Sequence, residues 1–426
     1  MKLNVQIDVH HLTRVEGHGN IRVRIEDGVV KQAAWDVVEN PRYFEVMLKG
    51  KHYSSAGLIT ARICGICSIG HCLASVRASE AAFGVQIPDL ARKLRLLAKH
   101  GETLQSHVLH LFFLAAPDFL ALPSALPLLQ ANPEVVHLAQ RLKGLGNAIC
   151  DVVAGRTTHP LCIQVGGMTR RPDNTSLLDL RTRLLAALDD LNATVELFKT
   201  FRIPDFVRQT EFVSLKGVDS YPWIGGDLVS TDGVLRPERE YASMTNEWVD
   251  DNNTTKWCKL SRESMAVGAL ARFNNNHHLL LPEAQAVAST LGLSHVCHNP
   301  FMNNVAQLVE CVHVALDSVR LIDEIVAAPA DAPVSVPVEP KAGDGVGAVE
   351  VPRGILYHHY TYGDDGRVVE ADCVIPTTQN NKNIHDDIQA LVRQFAPRNG
   401  MTDETLELLC SMLVRAYDPC ISCSVH

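Results

Sequence analysis

Two Cys-x-x-Cys pairs lie near opposite ends of the chain, at residues 64–67 and 420–423. Each pair spaces two thiols so that both can bind one soft metal ion. Zinc knuckles place their two pairs about 15–20 residues apart in a small domain. This chain of 426 residues is long enough to bury a core without a metal. If the four thiols form one site, the fold must bring both ends of the chain together.

Several kinds of site are open to these pairs. A single pair is typical of a structural zinc site or a redox dithiol. Four thiolates shared between two metals would leave coordination positions free for chemistry, which a closed tetrahedral zinc site does not. The remaining cysteines show no paired spacing, and we interpret them as small core residues; they are Cys72, Cys150, Cys162, Cys258, Cys297, Cys311, Cys373 and Cys410.

Composition excludes several classes of protein. Hydrophobic residues make up 46% and charged residues 20%, which is typical of a globular protein. The net charge of -9 and the lack of a Lys/Arg-rich run argue against binding to nucleic acid. The N-terminus lacks the apolar run of a signal peptide, and prolines and an aspartate interrupt the apolar stretch Leu109–Leu129. We therefore expect a cytoplasmic protein without a transmembrane segment.

Periodicity indicates the fold class. Leu3–Val9 and Ile21–Ile25 alternate apolar and polar residues, and Glu26-Asp27-Gly28 has the composition of a turn. Further along, apolar residues recur at helical spacing, as in Leu177–Phe201 and Val305–Ala327. These patterns predict an α+β fold that is predominantly α. Its core would be a bundle of long helices, with small antiparallel β elements near the N-terminus and before the C-terminal helices.

We predict one domain over residues 1–426. Its parts would be an N-terminal β region (1–55), a helical core (56–328), an extended segment rich in Pro, Ala, Gly and Val (329–349), a β-hairpin (350–380), and C-terminal helices with a metal-binding tail (381–426). The hairpin strands would be Gly354–Tyr360 and Arg367–Ile375. Thr402 is a suitable N-cap for a helix over Asp403–Tyr417.

Five motifs, taken together, resemble the large subunit of nickel-iron hydrogenases over essentially the whole chain. In chain order they are Arg14-Val15-Glu16-Gly17-His18, Pro41-Arg42-Tyr43-Phe44-Glu45, Arg62 to Cys67 with His71, Pro352-Arg353-Gly354 followed by Pro376-Thr377-Thr378, and Asp418 to His426. The length and the C-terminal motif are similar to those of soluble cytoplasmic multisubunit members, the sulfhydrogenase and NAD(P)-linked types.

The resemblance implies a dinuclear Ni-Fe centre. Cys64 and Cys420 would be terminal nickel ligands, while Cys67 and Cys423 would bridge nickel to an iron that carries CO and cyanide. All four would be thiolates. Such diatomic ligands call for a dry pocket with a few hydrogen-bond donors, and the resemblance points to Arg353 and to the Pro376-Thr377 segment. Some relatives have Ser at the position of Thr377, which keeps the hydroxyl.

The resemblance also implies how protons move. Heterolytic cleavage of H2 needs a metal that takes the hydride and an adjacent base that takes the proton. Cys420 would be the first base and Glu16 the next carrier, with Arg353 beside the reacting centre. By motif position, other polar side chains would orient the thiolates or Arg353 through hydrogen bonds; these are His71, His107, Asp118 and Asp418. For Asp118 and His107, a hydrogen-bonded structural group within a helix is an equal alternative.

A second metal site is implied at the C-terminus. Glu45, His426 and a backbone carbonyl near Cys373 match a site for magnesium or a similar divalent ion, which would hold the tail in place. The alternatives are a solvated charge for Glu45 and a frayed end for His426. We expect the sequence to be the mature form, because family precursors carry a short tail that is removed after this histidine.

The expected partners follow from electron flow. We expect no iron-sulfur cluster in this chain, since no further cysteine set is spaced to hold one. The resemblance implies an iron-sulfur small subunit, further diaphorase or electron-transfer subunits, and transfer of electrons from H2 to NAD(P) or a low-potential carrier. Two rival interpretations are a non-catalytic zinc-stabilised scaffold and a respiratory-complex relative, although such relatives have lost the cysteines.

Overall fold

The computed structural model of the chain describes residues 4–397 and 401–426; Leu3 of the predicted first strand lies outside them. The strands are β1 (Val5–Val9), β2 (Gly19–Glu26), β3 (Val29–Val37), β4 (Ile163–Gln164), β5 (Gly167–Met168), β6 (Glu211–Leu215), β7 (Leu228–Ser230), β8 (Leu235–Arg236), β9 (Met265–Ala266), β10 (Gly343–Val351), β11 (Gly354–Tyr362) and β12 (Val368–Val374). The helices are α1 (Phe44–Leu48), α2 (Tyr53–Thr60), α3 (Ser68–Phe83), α4 (Asp89–Leu109), α5 (Ala116–Phe119), α6 (Ala125–Ala131), α7 (Pro133–Ala154), α8 (Asn174–Phe198), α9 (Tyr241–Thr245), α10 (Ala269–Asn276), α11 (Pro282–Thr290), α12 (Asn303–Ala327), α13 (Pro376–Phe395), α14 (Asp403–Ala416) and α15 (Ile421–Ser424). The predicted α+β, mainly helical class is confirmed.

The long helices form the core that the periodicity predicts. Helices α4, α7, α8 and α12 pack against one another, and α8 and α12 cover the two segments with the clearest helical spacing. The apolar stretch after α4 continues as a π-helical segment, His110–Ala115, before the short helix α5. Across residues 4–397 and 401–426, none of the helices combines the length and apolar character needed to cross a bilayer.

The N-terminal sheet has one strand more than the sequence predicts. Strands β1, β2 and β3 form an antiparallel sheet in that order. The turn between β2 and β3 lies at Asp27 and Gly28, whose φ angles of 52° and 80° suit the predicted turn composition. Strand β3 was missed because its last five residues are all buried, so it lacks the alternation of a half-buried strand.

The predicted hairpin is one part of a three-stranded antiparallel sheet, in the order β10-β11-β12. Strand β10 begins at Gly343, so residues 343–349 of the predicted extended segment belong to this sheet. The sequence there is rich in glycine, which is unusual inside a strand. Burial of the last seven residues of β10 shows that the strand belongs to the core.

The glycines of β10 allow the strand to lie directly against helix α3. A Cβ on Gly343 would lie 2.6 Å from the carbonyl oxygen of Ala82, and a Cβ on Gly345 or Gly347 would meet the α3 backbone more closely still. No side chain fits between the two elements at these positions, so glycine is required. This close packing fixes α3, whose first turn follows Cys67.

The predicted helical region also contains a small sheet. Strands β8, β7, β6 and β9 form it in that order, and β6 pairs with β9 in parallel. All five residues of β6 are buried, so a period of two is absent from its sequence. The region predicted as the helical core, residues 56–328, is therefore mostly helical but includes these short strands.

The two ends of the chain pack on each other. Strand β3 contacts helix α13, and β1 contacts α14. The indole N–H of Trp35 on β3 donates to Oδ1 of Asn381 on α13 at 3.0 Å. Thr402 caps α14 as predicted, because its side chain accepts a hydrogen bond from the backbone N–H of Thr405. The N-terminal loop therefore lies beside the C-terminal tail.

Candidate metal centre

The four cysteines of the Cys-x-x-Cys pairs converge in the core. Cys67 directly precedes α3, and Cys420 directly precedes α15, which contains Cys423. The sulfur atoms of Cys64 and Cys420 are 3.7 Å apart. The sulfurs of Cys64, Cys420 and Cys423 lie within 4.8 Å of one another, as do those of Cys67 and Cys423. All four residues are at most 3% exposed. The structure thus joins two sequence pairs that are more than 350 residues apart.

One detail differs from the expectation of four thiolates. The sulfur atoms of Cys420 and Cys423 are joined in a disulfide in this structure. Their Cα atoms are 5.4 Å apart, a separation that a disulfide can span. The short spacing of the pair brings the two sulfurs together, and the thiolate state of all four cysteines stays a prediction. A dinuclear centre needs both sulfurs in the thiolate form.

The first pair is surrounded by groups that favour a negative charge. The backbone N–H groups of Ile66 and Cys67 donate to the Cys64 sulfur at 3.3 and 3.2 Å. A hydrogen bond from the Cys67 side chain lowers the pKa of Cys64, and the charge of Arg353 and the two backbone donors add to this effect. The same side-chain bond raises the pKa of Cys67. Cys64 is therefore the more readily ionised of the two.

Glu16 lies beside the second pair. Its Oε2 is 3.3 Å from the Cys420 sulfur and accepts the backbone N–H of Ser422 at 3.0 Å. The Ser422 hydroxyl donates to Oε1. The carbonyl of Glu16 accepts the N–H of Ile421 at 2.9 Å, so backbone and side chain both fix the N-terminal loop on the tail. The carboxylate is thus held where the resemblance implies a proton carrier.

Arg353 is the main cation of the site. Its Nε donates to the carbonyl of Asp418 at 2.7 Å, and Nη2 donates to Oδ1 of the same residue at 3.0 Å. Burial disfavours the charge, but Asp418 and the cysteines favour it more, and the pKa of Arg353 lies above its ordinary value. Within the part of the chain that the structure describes, the buried Nη1 has no hydrogen-bond partner. The N–H groups of Nη1 are therefore able to donate to a ligand bound in this pocket.

The Pro376-Thr377 segment begins helix α13 at the same site. Pro376 occupies the first turn of the helix, where a missing N–H costs little. The Thr377 hydroxyl oxygen accepts the backbone N–H of Cys420 at 3.0 Å. The hydroxyl hydrogen can therefore donate to another acceptor. Both residues are buried.

Two of the four residues expected to orient the site lie next to Arg353 or to the cysteine sulfurs. Asp418 holds Arg353, as described above, and accepts a hydrogen bond from Gln307 Nε2 at 3.3 Å. A ring nitrogen of His71 lies within 4.8 Å of the sulfurs of Cys67 and Cys423. Its Nδ1 contacts Nε2 of His358 at 3.2 Å.

The other two residues have different partners. Asp118 pairs with Arg14 and with Arg415, whose Nη1 lies 2.9 Å from Oδ2 of Asp118. His107 lies 2.8 Å from Glu310, which in turn binds Arg272. The expectation that Asp118 and His107 contact the thiolates or Arg353 is wrong. Each acts instead in a buried ion-pair network, and Asp118 holds the loop that carries Glu16.

Sequence reasoning gave no individual role to several residues that build the site. Nη2 of Arg42 donates to the carbonyls of Ile63 and Ser422 and so links the two cysteine motifs. The carboxylate of Glu102 accepts the N–H of Gly70, in the first turn of α3, at 3.0 Å. The position of Arg42 in the Pro41-Arg42 motif was the available signal. Glu102 lies within a helix and carries no local pattern.

The predicted divalent-ion residues also come together. Oε1 of Glu45 lies 3.5 Å from Nε2 of His426 and accepts the backbone N–H of Cys373 at 2.8 Å. Burial raises the pKa of Glu45, but these two contacts and the charge of Lys256 outweigh it, so the pKa is lowered. The backbone carbonyl near Cys373 stays a predicted ligand of the ion. Helix α1 packs on strand β12, which places Glu45 at this edge.

Comparison with known proteins identifies the family. A model of the nickel-dependent hydrogenase family matches residues 42–145 and 227–426, and a HoxL-like model matches residues 6–40. The chain belongs to the nickel-dependent hydrogenase family. It is accordingly the catalytic subunit of an oxidoreductase that acts on H2, and the activity expected from the motifs is confirmed.

Individual relatives cover nearly the whole hydrogenase chain. Sulfhydrogenase 1 subunit alpha of Pyrococcus furiosus is 33% identical, with 100% of this chain and 98% of the relative covered. The NAD-reducing hydrogenase HoxS subunit beta of Cupriavidus necator is 28% identical, over 97% and 93% of the two chains. A crystal structure of an NAD+-reducing [NiFe]-hydrogenase in the H2-reduced state superposes with a TM-score of 0.89, at 28% identity and 99% coverage of both chains. The expected similarity to sulfhydrogenase and NAD-linked members is confirmed.

Proposed function

We propose that Cys64, Cys67, Cys420 and Cys423 bind a Ni-Fe centre at which this subunit cleaves H2 into protons and electrons. The observation that carries the proposal is the convergence of the four buried sulfur atoms from both ends of the chain. Thiolates are the ligands that soft transition metals prefer. Cys64 and Cys420 would bind nickel, and Cys67 and Cys423 would bridge nickel and iron.

The surrounding residues fit such a centre with CO and cyanide on the iron. Small anionic or diatomic ligands need donors in a dry pocket, and Arg353 offers a buried Nη1 that no described residue engages. The Thr377 hydroxyl can donate as well, because its oxygen already accepts the N–H of Cys420. When bound, the metal pair supplies an open coordination position and accepts the two electrons of H2. Asp418 keeps the guanidinium of Arg353 oriented and charged.

Glu16 is proposed to carry the proton away from Cys420. Its Oε2 is within reach of the Cys420 sulfur, and the Ser422 hydroxyl on its other oxygen can donate or accept as the carboxyl group changes protonation. Arg42 and the ion pairs of Asp118 hold the two chain ends together around it. Glu16 and Cys420 would thus form the first proton step.

Glu45, His426 and the backbone near Cys373 are proposed to bind magnesium or a similar divalent ion. A carboxylate oxygen is the kind of ligand that such an ion prefers. The ion would replace the present contact between Glu45 and His426 and attach the C-terminal residue to strand β12. The result would be a tail that cannot fray away from the cysteines.

The remaining proposals concern partners. Electrons must leave the buried centre through electron-transfer cofactors, so we propose an iron-sulfur small subunit and further diaphorase or electron-transfer subunits. The alpha and beta subunit names of the relatives support a multisubunit enzyme. NAD(P) or a low-potential carrier is the proposed acceptor, and the cytoplasm is the proposed location.

Metal analysis with infrared spectroscopy tests the proposed centre. The purified protein should contain about one nickel and at least one iron per chain and show stretching bands of metal-bound CO and cyanide. Cys64→Ser should remove both metals, whereas Cys258→Ser, at a buried cysteine away from the site, should keep them. Zinc as the only bound metal, without infrared bands, would favour the scaffold alternative.

A further inference from the structure

The turn that carries Arg353 is buried, although turns between strands usually face water. Val351 pairs with Gly354 across strands β10 and β11, so Pro352 and Arg353 form a two-residue turn. All four residues are buried. A backbone carbonyl in such a place needs a hydrogen-bond donor from the protein, because water is not there to supply one. The donors to this turn are therefore part of what fixes Arg353.

Arg272 on helix α10 supplies two of these donors. Its Nη1 donates to the carbonyl of Val351 at 2.9 Å, and its Nη2 donates to the carbonyl of Pro352 at 3.2 Å. The helix itself packs on the turn, since a Cβ on Gly268, the residue before α10, would lie 3.4 Å from the carbonyl oxygen of Arg353. The guanidinium of Arg272 is thus bonded to the backbone that leads into Arg353.

Two carboxylates orient the guanidinium of Arg272. Its Nε and Nη2 donate to the two oxygens of Glu310 at 2.6 and 2.7 Å, and its Nη1 donates to Oε2 of Glu350 at 3.0 Å. These three residues are at most 1% exposed. Together with the two carbonyls, the carboxylates give an acceptor to every N–H group of the guanidinium. A planar group bonded in this way has one orientation, and the turn is held in the matching position.

We propose that Arg272 is a positioning residue for Arg353, which it holds through the backbone carbonyls of the turn. Asp418 holds the guanidinium end of Arg353, and Arg272 holds the backbone end. With both ends fixed, Nη1 of Arg353, which no described residue engages, keeps one direction towards the ligands of the iron. The inference rests on the proposed Ni-Fe centre for its effect at the iron.

The test compares Arg272→Lys with Arg95→Lys. Arg95 is a close match, because it is 1% exposed and forms a bidentate pair with Glu80, with contacts of 2.9 and 2.6 Å. It also donates to the carbonyls of Gln164 and Gly167, in the hairpin of β4 and β5, which carries none of the site residues. Lysine keeps the buried charge in both variants, but its three N–H groups cannot replace the five of arginine.

In Arg272→Lys the infrared CO band should move to lower frequency. A displaced Arg353 donates less well to a cyanide on the iron, so the iron keeps more electron density and donates more of it into the CO. Arg95→Lys should keep the wild-type band. A band in Arg272→Lys that coincides with the wild-type band, or an equal shift in both variants, would overturn the proposal.

A second pair of variants covers the case in which Arg272→Lys does not fold. Glu310→Gln removes the charge that orients Arg272 but keeps an oxygen acceptor, and Glu80→Gln makes the same change beside Arg95. Glu310→Gln should move the CO band in the same direction, whereas Glu80→Gln should leave it in place. Identical bands in these two variants would also contradict the positioning role.

A third measurement does not depend on the metals. Hydrogen-deuterium exchange followed by mass spectrometry reports local opening of the backbone. Peptides that contain residues 351–354 should exchange faster in Arg272→Lys than in the wild type, and at the wild-type rate in Arg95→Lys. Wild-type exchange of these peptides in Arg272→Lys would refute the inference whatever metals are bound. Absence of the infrared bands from the wild-type protein would instead contradict the proposed centre.

Discussion

Replacing Glu16 with glutamine should slow exchange between D2 and solvent protons while leaving nickel and iron bound. Glutamine has nearly the same shape, and its amide oxygen can still accept the backbone N–H of Ser422, which lies 3.0 Å from Oε2 of Glu16. The Ser422 hydroxyl can turn to accept from the new amide. The geometry of the tail should therefore survive, and the one function lost is the ability to take up a proton from Cys420.

The size of the effect follows from this single loss. A positioned general base contributes about 10²–10⁴-fold, which corresponds to about 3–5 kcal/mol of activation free energy. The assay is mass-spectrometric D2/H⁺ exchange by the purified complex, expressed per bound nickel. Ser422→Ala is the control, because it removes the hydroxyl beside Glu16 but keeps the carboxylate. It should lose less than about tenfold on the same scale of general-base effects.

Two outcomes would refute the proton role of Glu16. Exchange per nickel at the wild-type rate in Glu16→Gln would show that protons leave by another route. Loss of nickel in proportion to the loss of exchange would show that Glu16 holds the tail in place rather than carrying protons. The first result concerns the mechanism and the second concerns the structure, so metal analysis of the same sample separates them.

Three further predictions concern stability. Gly347→Ala should lower the free energy of unfolding by about 1–3 kcal/mol, because the new Cβ would collide with the backbone of α3. In the control Gly144→Ala, the new Cβ would have nothing within 4 Å, and the free energy of unfolding should rise by about 0.5–1 kcal/mol. Equal urea midpoints for the two variants would contradict the packing argument. Asp118→Asn should cost about 3–5 kcal/mol by leaving the buried guanidinium of Arg415 without its counter-charge, and an unchanged thermal midpoint would show that the network is dispensable. Burial lowers the pKa of His100 from 6.5 to about 3 in the folded protein, so its unfolded form binds a proton first. Its contribution to the free energy of unfolding is complete above about pH 6.5 and falls by about 1.4 kcal/mol per pH unit between about pH 6.5 and 3. In His100→Asn the urea midpoint should therefore fall less steeply as the pH is lowered. The same slope as in the wild type would contradict this account.

The sequence predicted those parts of the site that are encoded by residue type at fixed spacing. The two cysteine pairs, Glu16 in its loop and Arg353 after Pro352 each lie in a short motif, and the structure places them together. The long helices were predictable for a similar reason, since an apolar face repeats every three to four residues. Both kinds of signal are local in the chain.

The contacts that were missed depend on tertiary packing. Asp118 and its partner Arg415 are 297 residues apart in the sequence, and no local pattern around either residue predicts the pairing. Strand β10 was missed because its glycines, which weaken a strand in isolation, are required by close contact with α3. The contact between His358 and His71 likewise joins two residues that are 287 positions apart in the sequence. Such contacts can be identified only from the three-dimensional structure, which gives the positions of both partners.

Anomalous X-ray scattering measured at the nickel and iron absorption edges tests the central claim most directly. Crystals of the purified enzyme should give one nickel peak and one iron peak among the sulfur atoms of Cys64, Cys67, Cys420 and Cys423, with nickel nearer to Cys64 and Cys420. A single zinc peak at this position, or nickel and iron peaks away from these four sulfur atoms, would contradict the assignment.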